Sequence, residues 1–217
     1  MNVLIIGSKG QLAKELKNSL KLKKLKFFFI NKQKVDIVSY NSLNSNVKKK
    51  NPSIIINCAA YTDVDNSEIK KKAAYNINCN GVKNLVKICK NKKIYLIHFS
   101  TDYVFDGKGK KYKENDKTKP INYYGKTKEI SEQMIMGNLK SYVIFRLSWL
   151  MGNYSNNFLK KIVSLLKNNK ELHMVNDQIG NPTMTFFVSK IIRICCENFY
   201  NKKNIFNGIY HLANEPS

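Results

Sequence analysis

The strongest constraint on this chain lies in its first thirteen residues. Val3-Leu4-Ile5-Ile6 is an unbroken run of strand formers, which reads as a strand buried on both faces. Gly7-Ser8-Lys9-Gly10 interrupts it, and Leu12, Ala13, Leu16 and Leu20 then recur at helical spacing. A buried strand that passes through a glycine turn straight into a helix is the opening of a β-α-β unit. In Gly7-x-x-Gly10-x-x-Ala13, Gly7 permits the tight turn and Gly10 lets backbone approach a pyrophosphate. Ala13 lets the helix pack close to the sheet, and the helix N-terminus favours the anion.

The rest of the chain repeats the alternation. Strands are expected at Phe27-Phe28-Phe29-Ile30, Ile54-Ile55-Ile56, Ile94 to Phe99 and Tyr142 to Leu147, with a helix over Ala73 to Lys90. Beyond Trp149 the pattern predicts a helix at Asn156 to Leu166, a strand at Leu172 to Val175, a helix at Phe186 to Phe199 and a strand at Ile209 to Leu212. The fold class is therefore α/β, a doubly wound parallel sheet of Rossmann type with a small C-terminal lobe. We divide it into a dinucleotide-binding domain over 1–150 and a lobe over 151–217 that is interleaved with the last sheet elements.

The net charge of +23 invites a nucleic-acid reading, but all but two of the 38 basic residues are lysine. Arg146 and Arg193 are the exceptions. A surface that reads bases or phosphates would use arginine for bidentate contacts. The lysines are read as solvated surface, including the stretches near 21–26, 48–50 and 108–119, and no specific nucleic-acid partner is expected. The five cysteines contain no C-x-x-C pair, and the N-terminus lacks the basic region of a signal peptide. No apolar run approaches a membrane span. These features lead us to expect a cytoplasmic location with reduced thiols and no membrane partner. His98, His173 and His211 are scattered, so no metal site is expected.

Two further stretches carry chemistry. Tyr124 and Lys128 stand four residues apart and share one face of a helix. A phenol with a pKa of about 10 exchanges protons poorly at neutral pH. A nearby ammonium favours the phenolate, so the pair is suited to giving a proton to a carbonyl oxygen. Ser100-Thr101-Asp102 follows directly on the Ile94–Phe99 strand. Thr101 thus falls on the ligand side of a parallel sheet, as a second donor to the same oxygen.

These residues resemble the dTDP-4-dehydrorhamnose reductase family of the extended short-chain dehydrogenase/reductases. The likeness runs in order through Gly7-Ser8-Lys9-Gly10-Gln11-Leu12, Asn57 to Asp65, Ser100 to Gly107 and Tyr124-Gly125-Lys126-Thr127-Lys128. It continues through Arg146-Leu147-Ser148-Trp149, Asp177-Gln178-Ile179-Gly180-Asn181-Pro182-Thr183 and Gly208 to Leu212. The resemblance implies reduction of the C4 ketone of dTDP-4-dehydro-6-deoxy-L-mannose by NADPH or NADH. It makes Tyr124 the proton donor, Lys128 its partner and a ribose ligand, and Thr101 the carbonyl donor. Gly10, Gln11 and Leu12 would meet the pyrophosphate, and Asp36 and Ile37 the adenine side. Ala59, Ala60, Tyr61, Thr62 and Phe99 would line the cofactor groove, while Asp102 and Trp149 would meet the nucleotide-sugar.

Two departures accompany it. Family members usually continue past the Gly-x-Tyr-His strand, so part of the substrate lobe is expected to be missing after Ser217. At Asn31-Lys32, NAD-preferring members carry an acid, and Lys32 and Lys34 tilt the choice toward NADPH. The alternatives are a dinucleotide-binding regulatory subunit of the methionine adenosyltransferase type, or another nucleotide-sugar epimerase or reductase. Partners are then a nucleotide-sugar and, at most, a second copy of the chain as a homodimer.

Overall fold

A computed structural model describes residues 1–109, 111–154, 157–168, 171–174, 176, 178 and 180–213. The glycine-interrupted opening folds as expected: β1 (Asn2–Ile6) leads into α1 (Gln11–Ser19), and β2 (Lys26–Ile30) returns beside β1. Next come α2 (Tyr40–Lys50), β3 (Ile54–Asn57), α3 (Val64–Ile69) and α4 (Lys71–Tyr75). A π-helical turn over Asn76–Asn80 joins α4 to α5 (Gly81–Lys92), and β4 (Tyr95–Thr101) follows. The second half contributes α6 (Tyr123–Asn138), β5 (Tyr142–Leu147), β6 (Leu150–Met151) and α7 (Phe158–Asn168). It ends with β7 (Thr183–Met184), α8 (Thr185–Asn201) and β8 (Gly208–Leu212).

The main sheet has the order β2-β1-β3-β4-β5-β8, and every neighbouring pair is parallel. A parallel sheet needs cover on both faces, and the alternation of residues along each strand supplies two cores. Val3, Ile5, Ile54, Ile56, Ile97 and Phe145 face α1 and α8, meeting Leu12, Leu16, Val188 and Ile192. Leu4, Ile55, Leu96 and Ile144 face the opposite layer, meeting Leu43 and Val47 of α2, Leu85 of α5 and Ile135 of α6. Each such fully buried aliphatic contributes about 1.5–3 kcal/mol. The chain order reverses between β1 and β3, so the crevice for a ligand opens beyond the carboxyl ends of those two strands.

The differences from the sequence reading have local causes. The helix over Ala73 to Lys90 is present but widened by the π turn, which carries Asn78 and Cys79 inward. The helix α2 was not expected, because its Asn, Ser and Lys content leaves only Leu43 and Val47 to bury. Ser39 caps it through the Ser42 N–H. Leu172–Met174 form no strand, and Val175 lies outside the described residues. The partner of β6 is instead β7, nine residues further on than Met174, in a separate two-stranded sheet. Asn156, Asp177, Ile179 and the stretch 214–217 also lie outside the described residues.

Candidate active site

The loops after β1, β3 and β4 and the first turns of α6 surround a cavity of about 670 Å³. Its floor is the glycine turn. Gly7 sits at φ +85°, and a Cβ there would lie 2.6 Å from the Ala59 backbone nitrogen. Only glycine lets the β1 and β3 loops approach this closely. The Gly7 and Ser8 N–H groups are held by the Ile30 carbonyl, at 3.0 and 3.1 Å. Gly10 occupies the N-cap of α1 and has no side chain to engage the first helical N–H groups. Gly10, Gln11 and Leu12 all reach the cavity wall, together with Ala59, Ala60, Thr62 and Phe99.

The opposite wall carries the hydroxyls. Tyr124 and Lys128, one turn apart on α6, are both buried and both line the cavity. Asn122 caps α6 by accepting from the Gly125 N–H at 2.7 Å. Thr101 donates to Asp102 Oδ1 at 2.9 Å and accepts from the Tyr103 N–H at 3.2 Å. Its hydroxyl also lies beside the Tyr124 phenol and works against the rise in that phenol's pKa. Ser148 donates to Asp102 Oδ2 at 2.7 Å, which fixes the carboxylate from the far side. Trp149 lines the same cavity in the left-handed region, at φ +41°. Such a conformation in a bulky residue costs about 1–3 kcal/mol and clusters at ligand sites. The glycine of the Asp177–Thr183 stretch answers to it, since a Cβ at Gly180 would lie 2.7 Å from the indole Nε1.

The electrostatics differ from the sequence expectation in one respect. Burial, with Asp102 adding to it, raises the Tyr124 phenol above its ordinary value, so the phenol is a proton holder at neutral pH. Lys128 is not what sets it. The amine donates to the Phe99 carbonyl at 2.6 Å and lies 3.1 Å from His98 Nε2. Burial lowers Lys128 to about 8.

Of the residues expected here, Gly7, Asp36, Ile37 and Tyr61 do not line the cavity. Gly7 shapes the turn beneath it. Ile37 is buried in the sheet core, against the face where Gly81 leaves room. Asp36 accepts from the Val38 N–H at 3.0 Å. The Tyr61 backbone is pinned at both ends by Asn78, which accepts its N–H at 2.8 Å and donates to its carbonyl at 3.1 Å. Asn78, presented by the π turn, was missed by the sequence reading, as were Ser148 and Asn57. Gln11 was expected as a pyrophosphate contact. Its side chain also bridges the two halves of the site, donating to the Leu150 carbonyl at 3.0 Å and accepting from Asn157 at 2.9 Å.

Gly125 gives the motif between Tyr124 and Lys128 a steric reason, because a Cβ there would overlap the Tyr103 carbonyl oxygen. Replacing Gly125 with alanine is expected to force the first turn of α6 outward, at about 1–3 kcal/mol in thermal denaturation. A change below about 0.5 kcal/mol would show that this contact does not seat the helix.

The site can hold a dinucleotide. The glycine cradle, the uncapped helix N-terminus and the small side chains of Ala59 and Ala60 leave space and N–H groups for a pyrophosphate. Ser100 Oγ, facing the same cavity, is the one buried side-chain polar atom without a partner among the described residues. No group of three or more potential metal ligands occurs among the described residues.

Comparison with known proteins agrees with this geometry. The family described as the RmlD substrate binding domain matches residues 1–217. The dTDP-4-dehydrorhamnose reductase of Aggregatibacter actinomycetemcomitans is 36% identical over 216 residues, covering 99% of this chain and 74% of that protein. The crystal structure of dTDP-4-dehydrorhamnose reductase from Bacillus anthracis in complex with NADP superposes with a TM-score of 0.91 at 35% identity, covering 99% of this chain and 75% of that one. An orthologue from Clostridium acetobutylicum gives the same TM-score of 0.91 at 35% identity, covering 100% of this chain and 75% of that one.

Proposed function

Because the chain belongs to the dTDP-4-dehydrorhamnose reductase family, we propose that it reduces the C4 ketone of dTDP-4-dehydro-6-deoxy-L-mannose to give dTDP-L-rhamnose. Membership makes it a dinucleotide-linked oxidoreductase of nucleotide-sugars. The finer assignment rests on one observation: Thr101, Tyr124 and Lys128 converge on one wall of a cavity whose other wall is the glycine cradle.

The geometry supports the following division of roles. A bound reduced nicotinamide supplies a hydride. Gln11 and Leu12, at the open N-terminus of α1, hold the pyrophosphate. Lys128, with one N–H on the Phe99 carbonyl, has others to offer to ribose hydroxyls. Tyr124 keeps its proton until the ketone oxygen gains charge, which is the state a reductase needs before turnover. Thr101 has to turn its hydroxyl from Asp102 onto that oxygen, so the contact gains most when the oxygen becomes anionic. Asp102 and Trp149 meet the sugar. Lys32 and Lys34, just beyond β2 and exposed, favour the extra phosphate of NADPH.

The test is coenzyme oxidation on addition of enzymatically prepared dTDP-4-dehydrorhamnose, with NADPH and NADH compared. Turnover is expected with both coenzymes, with the higher kcat/KM for NADPH. Tight coenzyme binding without turnover would replace the reductase reading with a regulatory one.

A further inference from the structure

His98 is a buried histidine in the middle of an apolar strand, and nothing above uses it. Its ring lies between three groups. Nδ1 is 3.1 Å from the Asn57 amide nitrogen, and Nε2 is 3.1 Å from Lys128 Nζ and 3.3 Å from Ser131 Oγ. The hydrogen-bond donors and acceptors here can be assigned one by one. Asn57 Oδ1 accepts from the Ala59 N–H at 3.1 Å, so the amide cannot flip and its NH₂ faces the ring. His98 Nδ1 must then be a bare acceptor, and the neutral imidazole carries its proton on Nε2. Ser131 has committed its own proton to the Lys128 carbonyl at 2.6 Å, which leaves its oxygen free to accept from Nε2–H.

We propose that His98, locked by Asn57, is a positioning residue for Lys128: it presents a ring N–H rather than a lone pair to the amine, and so directs the amine's own hydrogens toward the Phe99 carbonyl and the cavity. The consequence is electrostatic as well as geometric. An ammonium at Nζ faces the positive end of an N–H bond between two buried side chains. The other groups around it offer little relief. Glu132, one turn along α6, is already paired with Arg146 at 2.7 Å. The Cys79 thiol from the π turn and the Tyr124 phenol are both held protonated by burial. Burial pushes His98 itself well below its ordinary value, with Lys128 adding to the effect, so the ring stays neutral. Burial alone already lowers Lys128 to about 8, and the ring N–H lies against an amine that is easily discharged. Activity that needs the charged amine is then lost as pH rises through about 8.

The tautomer is a property of the fold, and only the kinetic arm of the test rests on the reductase reading. Two-bond ¹⁵N–¹H imidazole spectra of the intact, coenzyme-free protein separate the two neutral tautomers, and His98 is assigned by its absence from a His98→Gln variant. The proton is expected on Nε2; a proton on Nδ1 overturns the proposal, whether or not the protein turns over. In His98→Gln the side-chain amide is free to offer its oxygen to Lys128. The alkaline limb of kcat is then expected to rise by about one pH unit. A folded His98→Gln protein whose activity falls while that limb stays in place would make His98 a packing residue only and overturn the proposal. If the variant does not fold, the spectrum of the parent, assigned against His173→Gln and His211→Gln, decides alone.

Discussion

Replacing Tyr124 with phenylalanine is expected to lower turnover by about 10²- to 10⁴-fold while coenzyme affinity stays nearly unchanged. The phenol lines the cavity beside Thr101 and is held protonated by burial. Phenylalanine keeps the ring that packs edge-on against Tyr103, with centroids 6.0 Å apart, so the helix and the groove should survive. What is lost is the proton at the moment the ketone oxygen gains charge. Steady-state kinetics with the nucleotide-sugar and a fluorescence titration with the coenzyme would measure the two effects separately. Turnover within tenfold of the parent would move the proton donor elsewhere, with Thr101 and Asp102 the next groups to examine.

The largest stability effect is expected behind the site. Arg146 on β5 makes a two-pronged contact with Glu132 on α6, through Nε at 3.0 Å and a terminal nitrogen at 2.7 Å. Both side chains are almost fully removed from solvent, at 4% and 1%. The guanidinium also donates to the Glu114 carbonyl at 3.1 Å and stacks over Phe105, 4.9 Å from the ring centroid. Arg146→Met leaves a carboxylate buried without its partner, which costs about 3–5 kcal/mol. In a chain of this size that lowers the melting temperature by about 6–20 °C. Substituting both partners with apolar residues of similar volume, Arg146→Met with Glu132→Leu, is expected to restore at least half of the loss. A double variant no more stable than Arg146→Met alone would place the value of Arg146 in its contacts with the Glu114 loop instead.

How much of this was legible beforehand depended on whether a residue announced itself through a pattern. The five strands of the early sheet are runs of Val, Ile and Phe between polar punctuation, and four lie within two residues of where those runs predict, with β5 at the predicted bounds. Thr101, Tyr124 and Lys128 were found because a hydroxyl at the end of a buried strand and a four-residue helical spacing are both geometric statements. Composition would have hidden Lys128 among the other lysines; among the described residues it is the one that is fully buried. Asp36 and Ile37 were assigned to the adenine side by the resemblance, and position in the chain says nothing of where a side chain turns. Ile37 turned into the core, where Gly81 had left space. Asn57 and Ser148 lay inside stretches that carried the resemblance but were given no role, and Asn78 and His98 belong to no such stretch. Their signal was available in another form: a polar residue inside or at the end of an apolar strand must find a partner once buried. Asn57 closing an isoleucine run and His98 within Ile94–Phe99 both met that description. The partners came from elements far away in sequence, and only the folded chain brings them together.

The docking of α8 on α1 has a consequence in time. The apolar face of α1 is covered by Val188, Ile192, Cys195 and Cys196, and Thr185 ties the two helices by donating to Glu15 at 3.1 Å across 170 residues of chain. Synthesis at about 5–20 residues per second puts about ten to thirty seconds between the emergence of the two. For that interval the first helix to be made rests on the early strands alone and lacks the cover that α8 supplies. The glycine cradle at its N-terminus is therefore among the first parts of the site to exist and among the last to be buttressed from behind.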